Sequence, residues 1–419
     1  MATIRAFKGV RPAPGYESQI ADLPYDVMNS AEAREMVKNR PLSFLHIDRP
    51  ELNFSPEHDM YYYDVYFKAR DVYNKMRSDG HLIQDTEPLY YIYRLTMGGR
   101  TQTGLVATAS IDDYIAGVIK KHELTRKEKE QDRVRHVNGM NAHTGPIFLT
   151  YRDRPEVSSI LDEWTKNHQP VYDFVMSPLG VGDVGHKVWI VECAETIDKI
   201  TKSFSEIDSL YIADGHHRNA SALQVCLLRR AQYPSYTGNE SFNYYLSVIF
   251  PAGELGILDY NRVVKDLNGL TKDAFLAKVK DNFDVIEAGS KAVRPEKRHT
   301  FGMYLDYKWH ILSAKPEIIK KDDPVESLDV SILQTSLLTP VLGIGDPRTD
   351  PRIDFVGGLR GLGELEKRVD SGEMAVAFSM FPTSMEELMD ISDAGKLMPP
   401  KSTWFEPKLL SGLFVHELN

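Results

Sequence analysis

The sequence predicts an α/β protein with a mixed sheet, built from two domains. Three observations carry this. Short β-branched or aromatic runs alternate with longer segments of helical spacing along most of the chain. One run, Leu210–Ala213, stops at Asp214-Gly215 and leads into an alanine- and leucine-rich helix from Asn219, a strand–turn–helix unit of the kind α/β cores are made from. The length of 419 residues exceeds what one core usually holds, and turn residues cluster between Ala231 and Ser241. The domains are therefore placed at 1–240 and 241–419.

The elements follow in order. Residues Phe7–Pro14 are rich in turn formers, and Leu23–Val27 is a strand end running into a loop. Ser30 caps a helix from Ala31 to Lys38. Phe44–Pro50 reads as a short strand closed by proline. Tyr61–Asp79 has helical spacing of Tyr, Phe and Met. Leu89–Leu95 and Thr101–Ser110, joined at Met97-Gly-Gly-Arg100, form a hairpin. The polar stretch Asp113–Arg135 reads as helix. Then come a strand Pro146–Tyr151, a helix Ser158–Asn167, and strands Pro170–Met176 and Lys187–Val191. Gly180–Gly185 matches G-x-G-x-x-G, but that fingerprint must open a helix, and the residues after it are β-branched and aromatic; it is a hairpin loop. In the second domain, strand Asn243–Phe250 and Ile257–Arg262 precede a helix Lys272–Phe283. A hairpin at Phe301–Leu312 and a helix Asp329–Leu338 lead into a loop-rich tail.

Composition excludes several classes. No apolar run reaches the ~18–20 residues of a membrane span, and the first residues lack the apolar core of a signal peptide. Two cysteines are too few for a disulfide framework or a cysteine-rich zinc site, so the expected compartment is the cytoplasm. A net charge of −10 argues against nucleic-acid binding, which needs many cations to displace counterions. No G-x-x-x-x-G-K-[ST] loop is present.

Chemistry concentrates in the turn Asp214-Gly-His-His-Arg218. Helix N-termini attract anions through unpaired N–H groups and the helix dipole, and His216, His217 and Arg218 add donors there. A phosphate site is expected there, the alternative being a capped turn with one buried, hydrogen-bonded histidine. Asp214 serves as the helix cap or as ligand to a divalent cation beside that phosphate. A second constellation is His122-Glu-Leu-Thr-Arg126. It fails the H-E-x-x-H zinc pattern, since Arg126 stands where the second histidine is required. On a helix His122, Thr125 and Arg126 would share one face, and the carboxylate of Glu123 beside a cationic pocket can act as a general base. The third is Lys401-Ser402-Thr403 after Pro399-Pro400, a stiff loop that either cradles a phosphate or small molecule or is plain surface. In Asp346–Asp354, three aspartates alternate with Arg348 and Arg352, which reads as a structural ion-pair network.

The Asp214–Arg218 turn after a strand resembles the ParB/sulfiredoxin-like superfamily, and is most similar to its free serine kinase branch. Nearly the whole chain resembles a bacterial family often labelled ParB-like. The likeness rests on the His122–Arg126 segment, the stretch Asp346–Gly358 and the tail Pro399–Lys408. The resemblance implies a mixed-sheet core with large insertions, plus a C-terminal α/β domain that closes over the site. It implies transfer of a phosphoryl group to the hydroxyl of free serine, or the reverse from O-phosphoserine, with pyrophosphate or ADP as donor and Mg²⁺. Asp214 would then hold the metal, and His216, His217, Arg218, Arg126 and Lys401 the phosphates. Glu123 would be the base, with His122, Thr125, Ser402 and Thr403 around serine. No segment resembles a ParB helix-turn-helix. The alternatives are a nucleotide-binding regulator acting on DNA and a metal-dependent phosphohydrolase, the latter needing a remote ligand such as His122 to join the turn.

Overall fold

The computed structural model describes residues 1–177 and 182–418. The chain divides into two compact units, residues 1–255 with 407–419, and residues 256–406.

The first unit is built on a mixed sheet of nine described strands: β1 (Ile4–Arg5), β2 (Tyr90–Met97), β3 (Arg100–Ser110), β4 (Ile119–Lys120), β5 (Ile147–Tyr151), β6 (Tyr172–Met176), β7 (Val184–Val191), β8 (Leu210–Asp214) and β9 (Tyr244–Pro251). Their order is β4-β8-β5-β9-β3-β2-β7-β6, with β1 on β3. Pairings β4–β8 and β5–β9 are parallel and the others antiparallel. Tyr90, Ile92, Leu105, Leu149, Ile212 and Ile249 lie in its buried core. Helices α1 (Lys127–Met140) and α2 (His216–Gln232) pack on one another, joined by Gln131–Gln224 and Asn138–Arg229 hydrogen bonds.

The second unit carries an antiparallel sheet of β10 (Tyr260–Val264), β11 (Phe283–Gly289), β12 (Thr300–Leu305), β13 (Lys308–Ala314), β14 (Ile353–Gly357) and β15 (Val376–Ser379), in the order β11-β13-β12-β15-β10-β14. Helices flank it, and Val263, Trp309, Val356 and Ala377 are in its core.

The boundary expected at 240 shifts, because β9 is hydrogen-bonded on both sides within the first sheet. The last residues also return to the first unit: Val415 pairs with Val10 and is buried with Ile20, Phe44 and Tyr73. Three local readings change. Phe44–Pro50 is not a strand but a helical turn, Leu45–Asp48, followed by a 3₁₀ turn, Pro50–Asn53. Its apolar residues face two different clusters, Phe44 and Ile47 in one and Leu45 in another, so the run looks uniformly apolar without extended structure. Asn29, not Ser30, is the cap, with Glu32 completing a capping box. The helix expected over 113–135 is interrupted, since Gly117 takes φ 76° and the next residues form β4. The G-x-G-x-x-G stretch falls partly on residues 178–181, outside the described residues. Beyond it, residues 184–191 form strand β7 rather than a helix.

Among the described residues no helix is long and apolar enough to cross a membrane. Both cysteines are free. The Asp346–Asp354 segment forms the expected ion-pair network, Arg348–Asp346 at 2.6 Å, Arg352–Asp350 at 3.1 Å and Arg368–Asp354 at 2.7 Å.

Candidate functional site

The parallel pairing of β4 with β8 creates the site. Ile119 lies beside Leu210 and Lys120 beside Tyr211, so the segments leaving the two strands, 121–126 and 215–218, emerge side by side. Two stretches separated by some ninety positions thereby become neighbours. Segment 121–126 is a loop, not a helical face, and Arg126 is the N-terminal flanking residue of α1.

Gly215 makes the turn possible. Its φ is 95°, and a Cβ there would stand 3.1 Å from the Arg218 Nε. The backbone therefore reverses directly into α2 with His216 as its first residue. The two histidines pin the loop opposite. The His122 N–H donates to His216 Nε2 at 3.4 Å, and the Arg126 N–H donates to His217 Nε2 at 3.0 Å. Burial, followed by the charge of His122, pushes His216 well below its ordinary pKa; burial and then Lys129 lower His217. Both are neutral at pH 7, and with Nε2 accepting, each carries its proton on Nδ1.

Asp214 ends β8 between two cations, Arg218 Nη2 at 3.5 Å and Lys408 Nζ at 3.6 Å. Burial opposes its charge, but Lys408 and Arg218, helped by the Gly215 N–H, outweigh burial and hold the carboxyl at about 2. Arg218 is itself largely buried, donates from Nη1 to the Pro146 carbonyl, and leaves its Nε without a partner. A cavity of about 20 Å³, room for roughly one water, lies against Arg218, Arg133, Tyr25 and His143.

Glu123 reaches the same place, its Oε2 4.0 Å from His216 Nδ1. His122 is buried, and its ring meets that of His216 edge-on at 4.5 Å between centroids. The Thr125 hydroxyl donates to Glu130 at 2.7 Å, and Arg126 is exposed. The structure thus brings His122, Glu123, Thr125, Arg126, Asp214, His216, His217 and Arg218 together. Lys401, Ser402 and Thr403 belong to the second unit. There Lys401 lies over the Tyr260 ring and accepts from Arg262 through its carbonyl, while the Ser402 hydroxyl donates to the Pro399 carbonyl at 2.6 Å. Lys408, beside Asp214, is the residue of this cluster to which sequence reasoning gave no role. The signal was the apolar run Leu409–Val415 after it, which marks a segment that must enter a core.

The model of a family described as protein of unknown function, DUF1015, matches residues 4–331. The chain belongs to that family. No curated protein matches it. Among solved structures, it is similar to a free serine kinase variant in complex with AMP, at 15% identity and TM-score 0.35, covering 72% of this chain and 86% of that one. It is also similar to a conserved hypothetical protein from Pyrococcus furiosus, at 15% identity and TM-score 0.33, covering 74% and 95%. SbnI with C-terminal truncation from Staphylococcus aureus matches at 9% identity and TM-score 0.35, covering 73% and 85%.

Proposed function

We propose that this protein is a phosphotransferase that moves a phosphoryl group between a small donor, pyrophosphate or ADP, and the hydroxyl of free L-serine. One observation carries the phosphoryl chemistry: an ionised carboxylate, Asp214, set between Lys408 and Arg218 at the N-terminus of the 17-residue helix α2. Such a site offers charge-assisted donors, helix N–H groups and a carboxylate, which are what phosphoryl transfer requires of a protein. Serine as acceptor is supported by the resemblance of the Asp214–Arg218 motif to free serine kinases.

Mg²⁺ takes oxygen ligands, commonly one or two carboxylates completed by substrate phosphates. Asp214 fits that use, because it is ionised, partly exposed, and its ion pairs at 3.5 and 3.6 Å are longer than tight charge-assisted contacts. Bound there, Mg²⁺ would neutralise phosphate charge. Arg218, the Nδ1–H of His217 and the first N–H groups of α2 hold the transferring group, with Arg126 at the exposed rim. Glu123 accepts the proton of the serine hydroxyl. The serine oxygen forms its bond to phosphorus as the bridging P–O bond breaks, and the electron pair leaves with phosphate or AMP. The absence of a Walker loop from the sequence suits pyrophosphate, a donor with no base to recognise.

The test is formation of O-phosphoserine from free serine, lost in a folded Asp214→Asn protein. Turnover unchanged in Asp214→Asn would remove Asp214 from the reaction.

A further inference from the structure

The loop and turn that build the site also assemble a donor set that does not suit Mg²⁺. His122, Glu123 and His216 each offer one ligand atom, and these atoms lie within 4.8 Å of one another. We propose that His122, Glu123 and His216 form a binding site for a divalent transition-metal ion of the zinc type.

Three observations support it. The first is chemical: two imidazoles and one carboxylate are the ligand set of His₂Glu zinc sites and of two-histidine-one-carboxylate iron sites, whereas Mg²⁺ prefers oxygen alone. The second is an unmet need. His122 is 2% exposed, and neither ring nitrogen has a hydrogen-bond partner of good geometry. Buried polar atoms in native proteins are nearly always satisfied, and a metal ion on one nitrogen satisfies this ring. The Ile212 backbone lies near this ring, and a backbone carbonyl is the kind of acceptor to which a metal-bound imidazole donates its other N–H. Third, Asp214 ends β8 two positions before His216, so a further carboxylate stands beside the donor set and is among the groups that His122 feels.

Closing the site takes small movements. Tetrahedral zinc with bonds of about 2.0–2.1 Å places its ligand atoms about 3.3 Å apart, so the widest separation must contract by roughly 1.5 Å. Glu123, 41% exposed on a loop, is the freest of the three side chains to move, since His122 and His216 are buried. Ligation by His216 Nδ1 moves that ring's proton to Nε2 and surrenders the contact from the His122 N–H, which at 3.4 Å is already longer than an ordinary hydrogen bond. Three protein ligands leave a position for water or an alcohol. Glu123 bound through one oxygen keeps its second oxygen able to accept a proton. The site stands whether or not the protein transfers phosphate, because its test reads the metal.

Tag-free protein of residues 1–419 is stripped with a chelator and titrated with Co²⁺ as the spectroscopic probe, then with Zn²⁺. One Co²⁺ per chain is expected, with the strong visible absorption of a four- or five-coordinate ion. Zn²⁺ should bleach it, and a large excess of Mg²⁺ should leave it. Glu123→Gln, at a partly exposed position, should keep the fold and weaken Co²⁺ binding by tenfold or more; His122→Gln should abolish the band. Absence of the band in wild-type protein overturns the proposal. So does displacement by Mg²⁺, or equal binding by wild type and folded Glu123→Gln.

Discussion

Acidification is the perturbation that the first unit is least equipped to absorb. His143, His186 and His416 are all buried there. Burial, with His416 beside it, pushes His143 down to about 3; burial alone pushes His186 to about 4, and burial holds His416 at about 4 against the pull of the Ser241 carbonyl and Glu417. The Tyr93 hydroxyl meets His186 Nδ1 at 2.8 Å, and His416 Nε2 lies 3.0 Å from the Ser241 carbonyl. A base with a depressed folded pKa binds fewer protons folded than unfolded. Its contribution is therefore complete above the unfolded pKa and is lost as pH falls from there towards the folded value. At pH 5 an unfolded imidazole with pKa about 6.5 is roughly thirtyfold charged over neutral, while the buried ring stays neutral, a difference of about 2 kcal/mol per histidine. Three such groups give about 6 kcal/mol, comparable with the whole stability of an ordinary domain, about 5–15 kcal/mol. The stacked rings of His143 and His416, 6.0 Å apart, make charging of the second harder still. Urea unfolding followed by circular dichroism between pH 7.5 and pH 5 should show the midpoint falling steeply. A change of less than about 1 kcal/mol over that range would refute the reasoning.

Other expectations follow from single residues. Asp329 in the second unit is pushed up to about 7 by burial against the pull of the His299 N–H, which donates to it at 2.8 Å. Its charge is a cost that appears as pH rises from about 4 through 7, so Asp329→Asn should stabilise by on the order of 1–3 kcal/mol at pH 8 and by almost nothing at pH 4; equal stability at pH 8 would contradict this. Gly215→Ala forces a left-handed φ on a residue with a Cβ and pushes on Arg218, and should lower stability by about 1–2 kcal/mol and weaken donor binding together. Arg218→Met should weaken pyrophosphate binding, measured by calorimetry, by roughly 10- to 150-fold, the worth of a charge-assisted contact of about 1.5–3 kcal/mol. Glu123→Gln should lower turnover by about 10²–10⁴-fold with donor affinity retained, and an effect under tenfold would place the base elsewhere.

What could be read from the sequence was what is encoded locally. The apolar run Leu210–Ala213, the glycine at 215 and the helix former content after it lie next to one another, and the observed strand, turn and helix follow them closely. The polar cluster His122–Arg126 was also visible, but its backbone was not. Whether those residues continue a helix or leave a strand depends on pairing with β8, some ninety positions away, and propensity carries no record of that partner. The Phe44–Pro50 run failed for the related reason that its two apolar faces serve two clusters. Lys408 was seen in the tail but given no role, because its place beside Asp214 depends on the C-terminal segment returning to the first unit, a tertiary fact.

The central claim is tested most directly by ³¹P NMR of the 419-residue protein incubated with free L-serine, Mg²⁺ and, in separate samples, pyrophosphate, ADP or ATP. The account predicts an O-phosphoserine resonance growing at the expense of pyrophosphate or ADP, and its decay to serine when O-phosphoserine is supplied with phosphate or AMP. No phosphoserine with any donor, and no reverse reaction from a folded protein, would contradict it.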